Sequence, residues 1–138
     1  MTPPVAAMLA DLRRAGHKMT PQRIALVELF AGDESHPTAQ GLFERLRPAF
    51  PSMSFATVYN TLEALTRAGL SQTLRIGQAA RFDPNTSPHH HAVCDACGEV
   101  RDVPPPSRVD VPPAGAVGFR VRAIERIYRG TCSSCTEK

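Results

Sequence analysis

Ser87-Pro88-His89-His90-His91-Ala92-Val93-Cys94-Asp95-Ala96-Cys97-Gly98 divides the chain into two parts of different character. It puts three histidines, two cysteines and an acid within ten residues. The other cysteines, Cys132 and Cys135, repeat the Cys-x-x-Cys spacing near the C-terminus, and none is left over. Two thiolates at this spacing can bind one ion from a single tight turn, and two such turns complete the tetrahedral four-sulfur shell that suits Zn2+. Gly98 fits the turn after the first pair. The 34 residues between the pairs exceed the roughly 12–20 of common zinc modules. The ion would therefore tie the start of the second part to its end. Structural Zn2+ on Cys94, Cys97, Cys132 and Cys135 is the expectation, against redox-active or surface thiols.

The histidines read separately. His89 and His91 lie two apart, on one face of an extended chain, so both imidazoles can meet one ion while His90 points away. His36, Asp83 and Asp102 are further candidate ligands. Spacing alone does not bring them together, and an incidental histidine run remains open.

Upstream, Val5, Met8, Leu9 and Leu12 form one helical stripe within 5–16, closed by Gly16. Arg13, Arg14, His17 and Lys18 gather at its end, where they complement the helix dipole or contact phosphate. Thr20-Pro21-Gln22-Arg23 is a helix start, with threonine as cap and proline in the first turn. Ile24, Leu26, Val27, Leu29 and Phe30 follow as core residues. After a polar break over 31–37, Thr38 caps a helix whose stripe is Ala39, Leu42, Phe43 and Leu46. Ser52 or Ser54 begins another, with Phe55, Val58, Leu62 and Leu65 inward and Gly69 as its stop. Leu70 to Arg75, a turn at Ile76-Gly77-Gln78, and Ala80 to Asp83 then read as a hairpin.

Helices followed by a hairpin are the order of a winged helix-turn-helix, with the last helix as recognition helix. Its outward face shows Ser54, Ala56, Thr57, Tyr59, Asn60 and Arg67. Hydroxyls and amides there can meet base edges or phosphates, and small side chains allow close approach. A helical bundle that binds protein is the competing reading.

Downstream, Ala92 to Cys94 and Glu99 to Val103 read as short strands around the first cysteine turn. Phe119 to Tyr128 alternates and reads as a further strand. Between them, Pro104 to Gly115 holds five prolines within ten residues, which argues against a helix. The expected organisation is a DNA-binding domain over 1–84, a hinge over 85–91 and a zinc-stapled, β-rich domain over 92–138. The last is too small for a secure apolar core and benefits from a metal staple.

Composition agrees with a folded chain: 138 residues, 42% hydrophobic, net charge +3. That balance permits a polyanionic partner without requiring one. No apolar run approaches the roughly 18 residues of a membrane span, and residues 1–10 do not read as a signal peptide. A soluble cytoplasmic protein is expected, where paired Cys-x-x-Cys motifs bind metal more often than they form disulfides. The histidines lack an accompanying nucleophile motif or separate general base, so an enzyme is not expected.

The motifs taken together resemble the ferric uptake regulator family over nearly the whole length. The matching pieces are Thr20-Pro21-Gln22-Arg23, His36-Pro37-Thr38-Ala39, Ala56-Thr57-Val58-Tyr59-Asn60-Thr61-Leu62, Arg81-Phe82-Asp83, the stretch from His89 to Gly98, and Cys132-Ser133-Ser134-Cys135. The resemblance implies a homodimeric, metal-dependent repressor of α+β fold, with an N-terminal winged helix and a C-terminal α/β dimerisation domain. Its partner would be a pseudo-palindromic double-stranded DNA operator. DNA contacts would come from Arg13, Arg14, Lys18, Arg23, Ser54, Ala56, Thr57, Tyr59 and Asn60. The family's regulatory site carries over to His36, Asp83, His89, His91 and Asp102, a mixed nitrogen and oxygen set that suits Fe2+ or Mn2+.

Within the family the chain is most similar to the peroxide-sensing branch. Asp102 stands where the iron-sensing branch typically has glutamate, and Arg122-Ala123-Ile124-Glu125-Arg126 lacks the extra histidine usual in iron sensors. The branch implies that bound Fe2+ reacts with peroxide and oxidises a ligand histidine, here His36 or His89, whereas Mn2+ does not readily do so. A manganese or iron uptake regulator of the same fold is the nearest rival, and a zinc-ribbon protein-interaction module the rival of another class. One departure is the proline-rich 104–115 segment, where the family normally places a helix; it implies reduced or remade dimer contacts.

Overall fold

Thr20, Thr38 and Ser54 start their helices in the same way. Each holds an extended backbone, and its hydroxyl accepts from the amide three residues on: Arg23, Gly41 and Thr57. Each cap satisfies one of the amides that a helix start leaves unbonded, worth roughly 1 kcal/mol. The computed structural model describes residues 1–77, 79–105, 114–121 and 124–137. They divide into two units, Met1–Ser87 and Pro88–Lys138.

The first unit contains α1 (Val5–Arg14), α2 (Pro21–Ala31), α3 (Ala39–Leu46), α4 (Phe55–Arg67), and a hairpin of β1 (Gln72–Leu74) and β2 (Arg81–Asp83). Every helix contributes to one core: Met8 and Leu12, Leu26 and Phe30, Leu42, then Val58, Leu62 and Leu65, all 1% exposed or less. Burying each large apolar side chain stabilises by roughly 1.5–3 kcal/mol. The hairpin is antiparallel, with Gln72 opposite Asp83 and Leu74 opposite Arg81. Its second strand, β2, also meets the start of α3, because the Phe82 amide donates to the Pro37 carbonyl at 2.9 Å and Thr38 bridges Arg81. This is a winged helix-turn-helix.

Phe55 departs from the expected core stripe. It is 42% exposed, whereas Val58, Leu62 and Leu65 are buried as expected. Phe55 is the first residue of α4, a full turn beyond the packed surface that Val58 begins.

The second unit is a three-stranded sheet of β3 (His90–Cys94), β4 (Val100–Val103) and β5 (Ile127–Gly130), in the order β4-β3-β5. A single turn, α5 (Ser133–Thr136), follows. Strand β3 pairs antiparallel with β4 and parallel with β5. Because it has partners on both sides, it starts at His90, two residues before the expected Ala92. His90 and His91 therefore belong to the sheet and not to a hinge over 85–91. The last strand is also shifted. Phe119 to Val121 and Ile124 to Arg126 are outside any strand. Alternation marks a face but supplies no partner; only Ile127–Gly130 lie opposite β3. Residues 106–113 of the proline-rich segment and 122–123 lie outside the described residues, and Ala114–Ala116 form a 3-10 turn. Val93, Cys94 and Val100 are the buried apolar residues described here, too few to hold a unit of this size without a staple.

Candidate metal centres and DNA-reading surface

The parallel pairing of β5 with β3 explains why two distant cysteine pairs meet. Cys94 ends β3 opposite Gly130, the last residue of β5. Parallel strands deliver their following turns to the same end of the sheet, so Cys97 and Cys132–Cys135 converge there. One sulfur from each of the four cysteines falls within 4.8 Å of the others, and no disulfide links them. Gly98 closes the first turn with φ 78, its amide donating to the Cys94 carbonyl at 2.9 Å. Glycine takes this left-handed conformation without steric cost.

The sulfur environment suits a thiolate centre. The Cys132 amide points at Cys94 Sγ at 3.3 Å and the Cys97 amide at 3.5 Å. These two amides pull the Cys94 thiol down to about 6. The neighbouring thiols of Cys132, Cys97 and Cys94 push Cys135 up to about 12. Without a cation the four thiols cannot all ionise, and a divalent ion removes that repulsion. Four sulfurs from two tight turns fit tetrahedral Zn2+.

The nitrogen and oxygen donors form one group in each unit. In the first unit His36 Nε2 lies 3.4 Å from Asp83 Oδ2, with both side chains almost fully buried. His36 adopts φ 58, a left-handed conformation unusual outside glycine. Arg81 Nη1 donates to its carbonyl at 3.1 Å, and the Asn85 amide donates to Asp83 Oδ1 at 2.9 Å. The wing therefore fixes both residues. In the second unit the register sets His91 opposite Asp102. Asp102 Oδ1 is 3.1 Å from His89 Nε2 and 3.4 Å from His91 Nε2, and the imidazole centroids are 4.6 Å apart. His90 points elsewhere, its Nδ1 accepting from the Arg126 amide at 3.0 Å.

Glu125 escaped the sequence reading. Its Oε1 lies 3.5 Å from His91 Nδ1. No spacing rule marks it, because only the approach of the chain into β5 brings it there.

On α4, Ser54, Ala56, Tyr59 and Asn60 are exposed and Thr57 is half-buried. Ser54 and Thr57 also share a hydroxyl contact of 2.9 Å, and the Ser54 hydroxyl caps the helix. Arg23 is engaged within the unit: Nε donates to Thr61 Oγ1 at 3.0 Å and Nη1 to the Lys18 carbonyl at 2.6 Å. It ties α4 to the segment before α2. Arg14 pairs with Asp11, and Arg13 stands exposed at the end of α1.

A winged helix-turn-helix unit followed in the chain by a β-rich unit with a convergent four-cysteine cluster defines a metal-binding protein of the DNA-reading class. The sequence profile of the ferric uptake regulator family matches residues 14–121, and the chain belongs to that family. It is 38% identical to the Peroxide operon regulator of Bacillus subtilis (strain 168) over 133 residues, covering 94% of this chain and 92% of the relative. The structure of PerR from Streptococcus pyogenes, described for peroxide sensing and gene regulation, matches with a TM-score of 0.53 at 29% identity, over 95% of this chain and 92% of that one. The Helicobacter pylori ferric uptake regulator matches with a TM-score of 0.73 at 16% identity, over 99% and 97% of the two chains, a likeness of fold.

Proposed function

We propose that this chain is a metal-dependent, DNA-binding transcriptional repressor that senses peroxide, acting as a homodimer on a pseudo-palindromic operator. Structural Zn2+ is held by Cys94, Cys97, Cys132 and Cys135. A regulatory Fe2+ or Mn2+ is held by His36, Asp83, His89, His91 and Asp102. The observation that carries the reading is the difference in donor chemistry between these sets. Thiolates in tight turns suit a permanent zinc, while imidazoles and carboxylates suit the harder, exchangeable ions. Resemblance to the peroxide-responsive relatives supports the choice of signal.

His36 and Asp83 belong to the DNA-reading unit and His89, His91 and Asp102 to the other. A single ion held by both sets would couple them and would favour the spacing of two recognition helices that half-sites require. Fe2+, when bound, supplies redox chemistry towards peroxide that Mn2+ does not. Oxidation of the His36 or His89 ring would remove a donor from the set and release the coupling. The protein is then a one-event sensor and not a turnover enzyme. Its working place is the cytoplasm, where a repressor meets its operator. DNA contacts are assigned to Arg13, Arg14, Lys18, Arg23, Ser54, Ala56, Thr57, Tyr59 and Asn60.

Titrating Mn2+ into the zinc-loaded protein, with fluorescence anisotropy of a pseudo-palindromic duplex as readout, tests the reading. Binding is expected to rise with Mn2+, fall on chelation and weaken steeply with salt. DNA affinity indifferent to both metal and salt contradicts it and favours a protein-interaction module.

A further inference from the structure

The recognition helix carries an aromatic surface, of which the DNA contacts assigned above include Tyr59 but not Phe55. Phe55 and Tyr59 are both exposed, at 42% and 38%, and stack with centroids 6.3 Å apart and planes at 27°. Phe43, from α3, meets Phe55 edge-on at 5.9 Å and 88°. The Tyr59 hydroxyl donates to Glu63 Oε1 at 3.1 Å, and Glu63 Oε2 lies 3.4 Å from Arg67 Nη2. Residues four apart on a helix are neighbours, so 55, 59, 63 and 67 form one ladder along α4. Both rings are held before any partner arrives, which lowers the ordering cost of binding.

The position of the pair decides its partner. Residues at the N-terminal end of a recognition helix come closest to base edges. The apolar feature that distinguishes bases in the major groove is the thymine C5-methyl, and apolar side chains contact it. The Arg47 guanidinium, 5.4 Å from the Phe43 ring centroid, adds a cation beside the aromatic patch for the phosphate backbone.

We propose that Phe55 is a specificity-determining residue, the stacked Phe55–Tyr59 pair forming an apolar seat for a thymine methyl in each half-site. This rests on the DNA-binding reading. The test uses the full-length, Mn2+-loaded protein and its Phe55→Ala and Phe55→Leu variants, each selecting duplexes from a random pool. The wild-type motif is then rebuilt with deoxyuridine replacing thymine, one position at a time. Wild type is expected to lose roughly three- to tenfold in affinity at one thymine per half-site, as a buried methyl implies. Phe55→Ala should be indifferent to that methyl and accept other bases there, Phe55→Leu should retain part of the preference, and binding to unrelated DNA should be unchanged. Selection of the wild-type motif by Phe55→Ala, with the same methyl dependence, overturns the proposal. So does a uniform loss of affinity with the motif intact, the mark of a purely structural role. Wild-type protein that binds no DNA overturns the underlying DNA-binding reading as well.

Discussion

His36 Nε2 stands 3.4 Å from Asp83 Oδ2, and the two side chains are almost completely shielded from water. The pairing is made by the wing: β2 carries Asp83, hydrogen-bonds to Pro37, and through Arg81 holds the His36 carbonyl. A left-handed histidine costs on the order of 1–3 kcal/mol, so the surrounding structure over-determines a conformation that serves the site. His36→Ala and Asp83→Asn are expected to weaken Mn2+ binding by more than the roughly 10–100-fold typical of an outer-sphere partner, without releasing zinc. Isothermal titration with Mn2+, alongside zinc analysis, checks both.

The four-thiol centre should respond to acid with a definite sign. Zinc takes thiolates, so protons compete with it, and retention falls as pH falls. Cys94, at about 6, is largely ionised at neutral pH, while Cys135, at about 12, must be deprotonated by the metal. Zinc loss to a fixed chelator is therefore expected to grow as pH drops from 8 and to steepen below about 6, where Cys94 also takes a proton. Cys94→Ser should lose zinc already at neutral pH.

Asp33 closes the loop that leads to His36. Burial alone would raise its pKa, but hydrogen bonds from the Ser35 hydroxyl and amide and from Arg45, with the charge of Arg45, outweigh that and lower it. Arg45 Nη1 sits 2.6 Å from Asp33 Oδ2. A lowered folded-state pKa gives stability present above the ordinary carboxylate range and lost as pH falls through the folded value. Asp33→Asn is expected to lower Tm at neutral pH, and the difference from wild type should shrink below roughly pH 4. Thermal unfolding followed by circular dichroism across that range decides it.

The core of the first unit makes a further demand. Leu62 is fully buried, and truncating a buried leucine costs roughly 2–5 kcal/mol. Urea unfolding of Leu62→Ala, measured on the helical signal, should show a loss in that range; a loss below about 1 kcal/mol contradicts the packing described.

Much of this architecture is legible in residue order. The helices announce themselves through Thr20, Thr38 and a serine at 52 or 54, which the structure resolves to Ser54, and through apolar stripes, which are local signals. The wing follows from two short runs around Gly77. The cysteine spacing tells of a four-sulfur shell, though not of the parallel β3–β5 pairing that assembles it. What local pattern misses depends on partners far along the chain. The alternation from Phe119 suggests a strand that in fact begins at Ile127, because only there does β3 stand opposite. His90 and His91 look like hinge residues until their pairing with Val103 and Asp102 is known. Phe55 reads as core by type and spacing but lies at the helix start, beyond the packed surface. Glu125 reaches His91 through tertiary approach alone.

Peroxide sensing through a histidine ligand, as proposed above, would leave a definite chemical product. Fe2+-loaded and Mn2+-loaded protein, each with zinc in place, should be treated with hydrogen peroxide and digested, and the peptides containing His36 and His89 weighed by mass spectrometry. One added oxygen on His36 or His89 in the iron form, with little in the manganese form and a matching loss of DNA binding, is the expected result. Unmodified histidines in the iron form, with DNA binding intact, contradict the account and point to a metal uptake regulator of the same family.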